Sequence, residues 1–398
     1  MLKLRRAEVV EVRDVGAEQS LLVELVELGG SRDGARERRP AVADIALVGQ
    51  AHVGDEVIVN VQARDLGLGS GGFDVVHVNL TRGLAADGHA GSGVMKLNYT
   101  SIQHAVAAVD DEHVVLPLSR PAAVLALHGQ LAPLTWAYAQ GAPGCKLGYV
   151  QTAGGALPGS HSRTVLELRR RGLLAGHLTA GSAYGGEGEA MSTAGALHHG
   201  LTTLGWDAAV CGPGPGLVGS GTVLGHGGMQ ALDSAHVALA LGCATLMVAR
   251  MSASDERARH RGISHHTLTV LDLLLEPVTV ALPAGMRSPV GADLRAGLGS
   301  LAAGGGRAQT RMRAAPALEV RRPARITRHD WRRASVDLPG YAASALPAHS
   351  MGRTLAQDPL FFAAALAGGS ALAELALEAR RLLARETDVR EPVAREPA

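Results

Sequence analysis

The sequence predicts an α/β protein: a doubly wound, mostly parallel sheet, preceded by a small β-barrel or sandwich domain and followed by a helical C-terminal extension. Three observations predict it. Residues 1–115 carry short Val-, Leu- and Ile-rich runs divided by Gly, Asp and Asn, the marks of strands and tight turns. From about residue 120 such runs alternate with stretches of helical length, which argues for parallel strands covered on both faces. Within 206–229 an apolar run, Ala208 to Cys211, breaks into glycine at a density that no helix or strand interior would choose.

In chain order, the β domain (1–115) should hold strands at Leu21–Leu28, Asp55–Gln62, Phe73–Leu80 and Gly93–Tyr99. The α/β domain (120–320) should begin with the strand Ala122–Leu127 and the helix Leu131–Gln140, then Lys146–Gln151 and Ser160–Arg171. The strand Leu178–Gly181 precedes a helix over Glu187–Leu204, and Ala208–Cys211 precedes Met229–Leu241. Ala244–Ala249, a helix from Ser264 to Leu274 and Val278–Leu282 continue the alternation, with a helix at Ala292–Ala303 and a return strand at Ala317–Val320. Residues 321–385 read as an arginine- and proline-rich connector, a helical stretch in Met351–Gly368 after Pro359, and an amphipathic helix at Ala371–Arg385. The charged stretch 386–398 reads as a disordered tail.

Composition bounds the function. With 46% apolar and 19% charged residues, the 398-residue chain is globular and long enough for two cores. The net charge of +1 argues against nucleic acid as a partner, and 3% aromatics leave few stacking faces. Cys145, Cys211 and Cys243 are odd in number and lack metal spacing, so no disulfide framework is expected. The N-terminal residues carry no apolar signal region and no stretch reads as a bilayer span, so a cytoplasmic location is expected.

In a parallel sheet ligands bind beyond the carboxyl ends of the strands. The loops there should be the ones beginning at His128, Gln151, Thr179, Gly212 and Arg250. The glycine loop, with Gly212, Gly214, Gly216, Gly219, Ser220 and Gly221, could cradle a phosphate through its backbone N–H groups, though it lacks a P-loop lysine. The alternative is a tight turn packed against neighbouring backbone. Arg259 and Arg261 would add charge, and Ser264 stands where a helix N-cap should, placing His265 and His266 in the first turn. His128, Glu189 and His265 are candidate proton carriers.

Two residues invite further readings. Cys211 could be a thiolate near a helix N-terminus or a small core residue. His265 and His266 could bind a metal with Glu187 or Glu189, although adjacent histidines on a helix point about 100° apart. The run Arg321, Arg322, Arg325, Arg328, Arg332, Arg333 could meet nucleic acid but reads rather as a solvated linker, and Asn79–Gly83 could reach the rim across the domain junction or equally be a hairpin turn.

The motifs Val76-His77-Val78-Asn79-Leu80-Thr81-Arg82-Gly83, Val94–Thr100, Gly212-Pro213-Gly214, His260–Thr267, Ser350-Met351-Gly352-Arg353 and Asp358-Pro359-Leu360-Phe361-Phe362 together resemble the bacterial family called domain of unknown function 3866, from about residue 20 to 368. The resemblance implies no assigned activity and so carries over no catalytic residue.

These observations support a cytoplasmic enzyme or sensor that binds a small anionic or phosphorylated ligand at the carboxyl edge of the sheet. A metal-dependent hydrolase using the Glu/His set is one alternative. Another is a non-enzymatic scaffold whose Met351–Gly368 helix docks a partner or a second copy to give a homo-oligomer. No cofactor is named by any motif.

Overall fold

The computed structural model describes residues 2–16, 18–26, 37–68, 71–84, 93–284 and 323–390. The chain divides into two compact units, Met1–Ala107 and Ala108–Ala398.

The first unit is a closed barrel of β1 (Leu4–Val15), β2 (Glu18–Leu25), β3 (Arg38–Asp44), β4 (Glu56–Asn60) and β5 (Asp74–Asn79), in the order β1-β2-β3-β5-β4, with β4 returning to pair with β1. Alternate residues point inward, so Ala7, Val9, Leu21, Val23, Val57, Val59 and Val76 fill the interior. β1 and β3 are absent from the sequence reading because the outward half of each is rich in charge, which hides the apolar alternation. Arg39 is buried, and its cost is offset by Asp74 at 2.6 Å and Asp65 at 2.7 Å.

The second unit is a three-layer α/β domain. Its strands are β6 (Pro121–Val124), β7 (Leu147–Thr152), β8 (Gly176–Ala180), β9 (Gly188–Ala190), β10 (Ala208–Pro213), β11 (Ala244–Val248), β12 (Thr279–Pro283) and β13 (Asp330–Ala334). They lie in the order β9-β8-β7-β10-β6-β11-β12-β13, and every pairing is parallel. Helices α1 (Leu131–Gly141), α2 (Arg163–Arg170) and α6 (Pro359–Arg390) share one apolar core with the sheet. On the other face lie α3 (Thr193–Leu201), α4 (Gln230–Ala240) and α5 (His265–Leu273). Trp206 sinks into the aromatic-poor core because Gly148, Gly176 and Gly200 leave its ring room that a methyl group would fill.

Several boundaries move. The expected helix over Glu187–Leu204 starts only at Thr193, capped by Ser192, because Gly188–Ala190 joins the sheet edge as β9. The expected helix at 292–303 and return strand at 317–320 lie outside the described residues. The strand that completes the sheet is β13, within the stretch read as connector. Arg325 and Arg328 of the supposed linker donate to the carbonyls of Asp272 and Leu274, the last turn of α5, where cations complement the helix dipole.

The two expected C-terminal helices are one, and α6 continues to Arg390, into the stretch read as a tail. Gly368 and Gly369 look like a break, yet they mark a close approach: a methyl group on Gly369 would strike the carbonyl of Leu134 on α1. Among the described residues α6 is one helix with the length and apolarity of a membrane span, contrary to the sequence reading. An 18-residue window within Pro359–Arg385 reaches a mean hydropathy of 1.8, but 78% of that window is buried inside the protein, as in the core helix of a soluble domain. Phe361, Phe362, Leu366 and Leu372 are buried there, each contributing about 1.5–3 kcal/mol. The segment assigned to docking thus spends its apolar surface on its own sheet.

Candidate functional site at the carboxyl edge

Because all strands of the α/β sheet run parallel, the loops after β6, β7, β8, β10 and β11 leave from one edge. β6 is central: the chain leaves it for β7 and β8 on one side, returns to lay β10 beside it, then continues to β11 on the other side. Such a reversal opens the crevice in which α/β proteins bind ligands.

The glycine loop after β10 is shaped mainly by contact with protein. Gly212 lies inside β10, with Leu125 Cβ 2.8 Å from where its own Cβ would stand, and side chains on Gly214 or Gly155 would strike Gln151 or the Gly214 carbonyl. Gly227 meets the backbone of Gly154 in the same way, and Gly219 would crowd His226. Gly216 and Gly221 have positive φ, +83° and +79°, with open space at Gly221. The Ser220 hydroxyl bonds the Thr222 hydroxyl at 2.9 Å and the Gly225 carbonyl at 3.1 Å, within its own loop.

The root of this loop is tied down by a buried network. Tyr149 Oη lies 3.0 Å from the carbonyl oxygens of both Gly212 and Pro213, to which it donates. His128 places Nε2 2.8 Å from Ser162 Oγ and Nδ1 3.4 Å from Tyr149 Oη. Tyr149 spends its one proton on the Gly212 and Pro213 carbonyls, so toward His128 Nδ1 it can only accept, and a proton on Nδ1 leaves Nε2 to accept from the Ser162 hydroxyl. His177 stacks on Tyr149 with centroids 5.3 Å apart. Burial pushes His128 down to about 4 and His177 to about 3.

At the far end of the loop, the α4 and α5 side of the sheet gathers histidines and arginines. Ser264 caps α5, accepting from His266 N at 3.3 Å, as expected of an N-cap. His260 Nδ1 lies 2.8 Å from the same hydroxyl. His265 and His266 do not diverge, as successive helical positions suggest: their ring centroids are 4.3 Å apart, and both lie within 4.9 Å of His260. One ligand nitrogen from each of His260, His265 and His266 falls within 4.8 Å of the others, so these three could hold a metal. His226, at the end of the glycine loop, stacks on His266 at 3.6 Å.

Arg250 is 2% exposed and points into this cluster. Its Nη1 is 2.9 Å from His266 Nδ1, and its Nη2 is 3.5 Å from Asp255 and 3.3 Å from Met351 Sδ. Burial pushes Arg250 down to about 10. Asp255 also pairs with Arg257 at 3.0 Å and Arg353 at 3.2 Å, and Asp358 holds Arg353, Ser252 and the amide of Ala253. Arg259 and Arg261 have no carboxylate partner among the described residues. Arg259 Nη1 reaches the Gly221 carbonyl at 3.4 Å, and Arg261 Nε donates to the Asp255 carbonyl at 2.8 Å.

The acidic residues expected near His265 are elsewhere. Glu189 is on β9, at the sheet edge, where it accepts from Thr179 Oγ1 and the amides of Gly185 and Gly186. Glu187 precedes it and pairs with Arg169 at 2.6 Å. Four strands separate β9 from β11, the strand that leads into the histidines. His128 belongs to the α1 side of the sheet. Cys211 is buried inside β10 and its thiol is pushed up by desolvation, which makes it a core residue. A surface pocket of about 360 Å³, lined by Lys146, Gly176, His199 and Trp206, opens at the amino end of β8, away from this rim.

Sequence reasoning missed His226, Asp255, Arg353 and Asp358. A signal for His260 was present, four residues before the capping serine that it contacts.

A three-layer α/β domain with a histidine and arginine cluster on its carboxyl edge, in a chain that also carries a closed five-stranded barrel, defines the class. The chain belongs to the family described as protein of unknown function (DUF3866), whose model matches residues 40–369. No curated protein and no solved structure is significantly similar to it.

Proposed function

We propose that the protein binds a small anionic ligand of the phosphate-bearing class at the carboxyl edge of the α/β sheet, between the glycine loop and the loop that follows β11. The observation that carries the reading is the charge imbalance there. Arg250, Arg257, Arg259, Arg261 and Arg353 stand against Asp255, Glu256 and Asp358, and one carboxylate, Asp255, serves three of the five arginines. Arg259 and Arg261 are left with neutral partners, the Gly221 and Asp255 carbonyls and, for Arg259 Nε, His260 Nε2 at 3.5 Å. An uncompensated pair of guanidinium groups beside a ligand-binding edge suits a phosphate, which takes paired N–H donors from arginine.

The packed glycines narrow the reading: the loop would contribute shape and the amides near Gly221, and the arginines would contribute the charge. Of the three proton carriers named from the sequence, His265 alone stands in this cluster. A thermal-shift series with inorganic phosphate, pyrophosphate and nucleotides tests the proposal. Stabilisation that rises with concentration and is lost in Arg261→Ala supports it; no shift with any of them overturns it.

A further inference from the structure

We propose that His260, His265 and His266 form a binding site for one divalent transition ion of the zinc class. This goes beyond anion binding and does not rest on it. Three imidazole nitrogens from two short segments already lie within 4.8 Å of one another. Around a tetrahedral ion bonded at about 2.0–2.1 Å, ligand nitrogens stand about 3.4 Å apart, so closure asks each ring to move by roughly an ångström or less.

The chemistry of the donors fits. Imidazole binds metal only when neutral. Arg250 donates to His266 Nδ1, so this ring carries a lone pair on that nitrogen and is neutral. Ser264 Oγ, 2.8 Å from His260 Nδ1, is an outer oxygen of the kind that orients a ligating histidine, and Nε2 faces Arg259 Nε at 3.5 Å, a long contact that an ion bound there displaces. A set built of imidazole alone selects zinc, copper, nickel or iron over magnesium and calcium.

Two neighbours complete the site. His226, stacked on His266, covers it from the glycine loop. Arg250 directs its guanidinium at His266 Nδ1, so an ion that takes this nitrogen displaces that donor, while Arg250 keeps Asp255. Three protein ligands leave a position for water or for an oxygen of an anion.

The test is a titration of full-length, chelator-stripped protein with Co²⁺ in phosphate-free buffer, read by visible ligand-field absorption. The expected result is one equivalent bound, displaced by Zn²⁺ and not by Mg²⁺ in large excess. His260→Gln and His265→Gln should each weaken binding at least tenfold, Arg250→Met should tighten it, and Glu189→Gln should leave it unchanged. Circular dichroism checks that each variant is folded; if His265→Gln is not, His260→Gln carries the comparison. Absent ligand-field bands, or an affinity that neither histidine variant changes, overturn the proposal. The anion reading is tested separately in chelator, so either can fail alone.

Discussion

Nη1 of Arg250 stands 2.9 Å from Nδ1 of His266. A guanidinium can only donate, so the lone pair of this imidazole is on Nδ1 and faces a buried cation. The contact joins the strand that ends at Val248 to the first turn of α5, and Asp255 holds the other side of the guanidinium.

Asp255 is therefore the anionic hub of the rim. Asp255→Asn should cost about 3–5 kcal/mol, because it leaves three guanidinium groups around a neutral amide, one of them buried. Arg257→Ala, at a side chain 48% exposed, should cost under about 1 kcal/mol. Urea denaturation of the two variants measures the difference, and equal losses would contradict the hub.

Acid should weaken the fold through the buried imidazoles. An unfolded histidine titrates near 6.5, and His128 is pushed down to about 4 and His177 to about 3 by burial. Below 6.5 the unfolded chain takes up protons that the folded chain refuses, so stability is full above that pH and falls as pH drops toward 4. His128 alone accounts for about 3 kcal/mol across this window. His128→Gln should lower stability at pH 8 but flatten the slope between pH 6.5 and 4; an unchanged slope would show that this ring is not the titrating group.

Glycines in the rim should separate into two kinds. Gly155→Ala and Gly227→Ala place a methyl group against backbone carbonyls that cannot rotate away, at about 1–3 kcal/mol or more. Gly221→Ala meets open space and only a positive φ of +79°, at about 1 kcal/mol. Melting temperatures rank them, and a Gly221 variant worse than both others would mean that the loop is not held by packing.

Much of this was legible in the sequence. The alternation after residue 120 located six sheet strands to within a few residues, because parallel strands buried on both faces are plain apolar runs. Ser264 announced the start of α5 by its capping chemistry. The charged strand β1 was not legible, since its buried half is only Ala7 and Val9 among outward charges. Nor was the continuity of α6, where Gly368-Gly369 reads as a break until the neighbouring α1 explains it. The site was half visible: His265, His266, Arg259 and Arg261 are local in sequence, whereas His226, Arg353 and Asp358 arrive through the fold. Glu187 and Glu189 misled because loops that share one edge of the sheet need not be neighbours on it, and four strands separate β9 from β11.

The measurement that bears most directly on the anion site is isothermal titration of the chelator-treated protein with pyrophosphate, at low ionic strength. Saturable one-site binding, weakened at least tenfold by Arg259→Ala and by Arg261→Ala and unaffected by Glu189→Gln, is the predicted result. No saturable binding at millimolar pyrophosphate, or binding that survives both arginine substitutions, would contradict it.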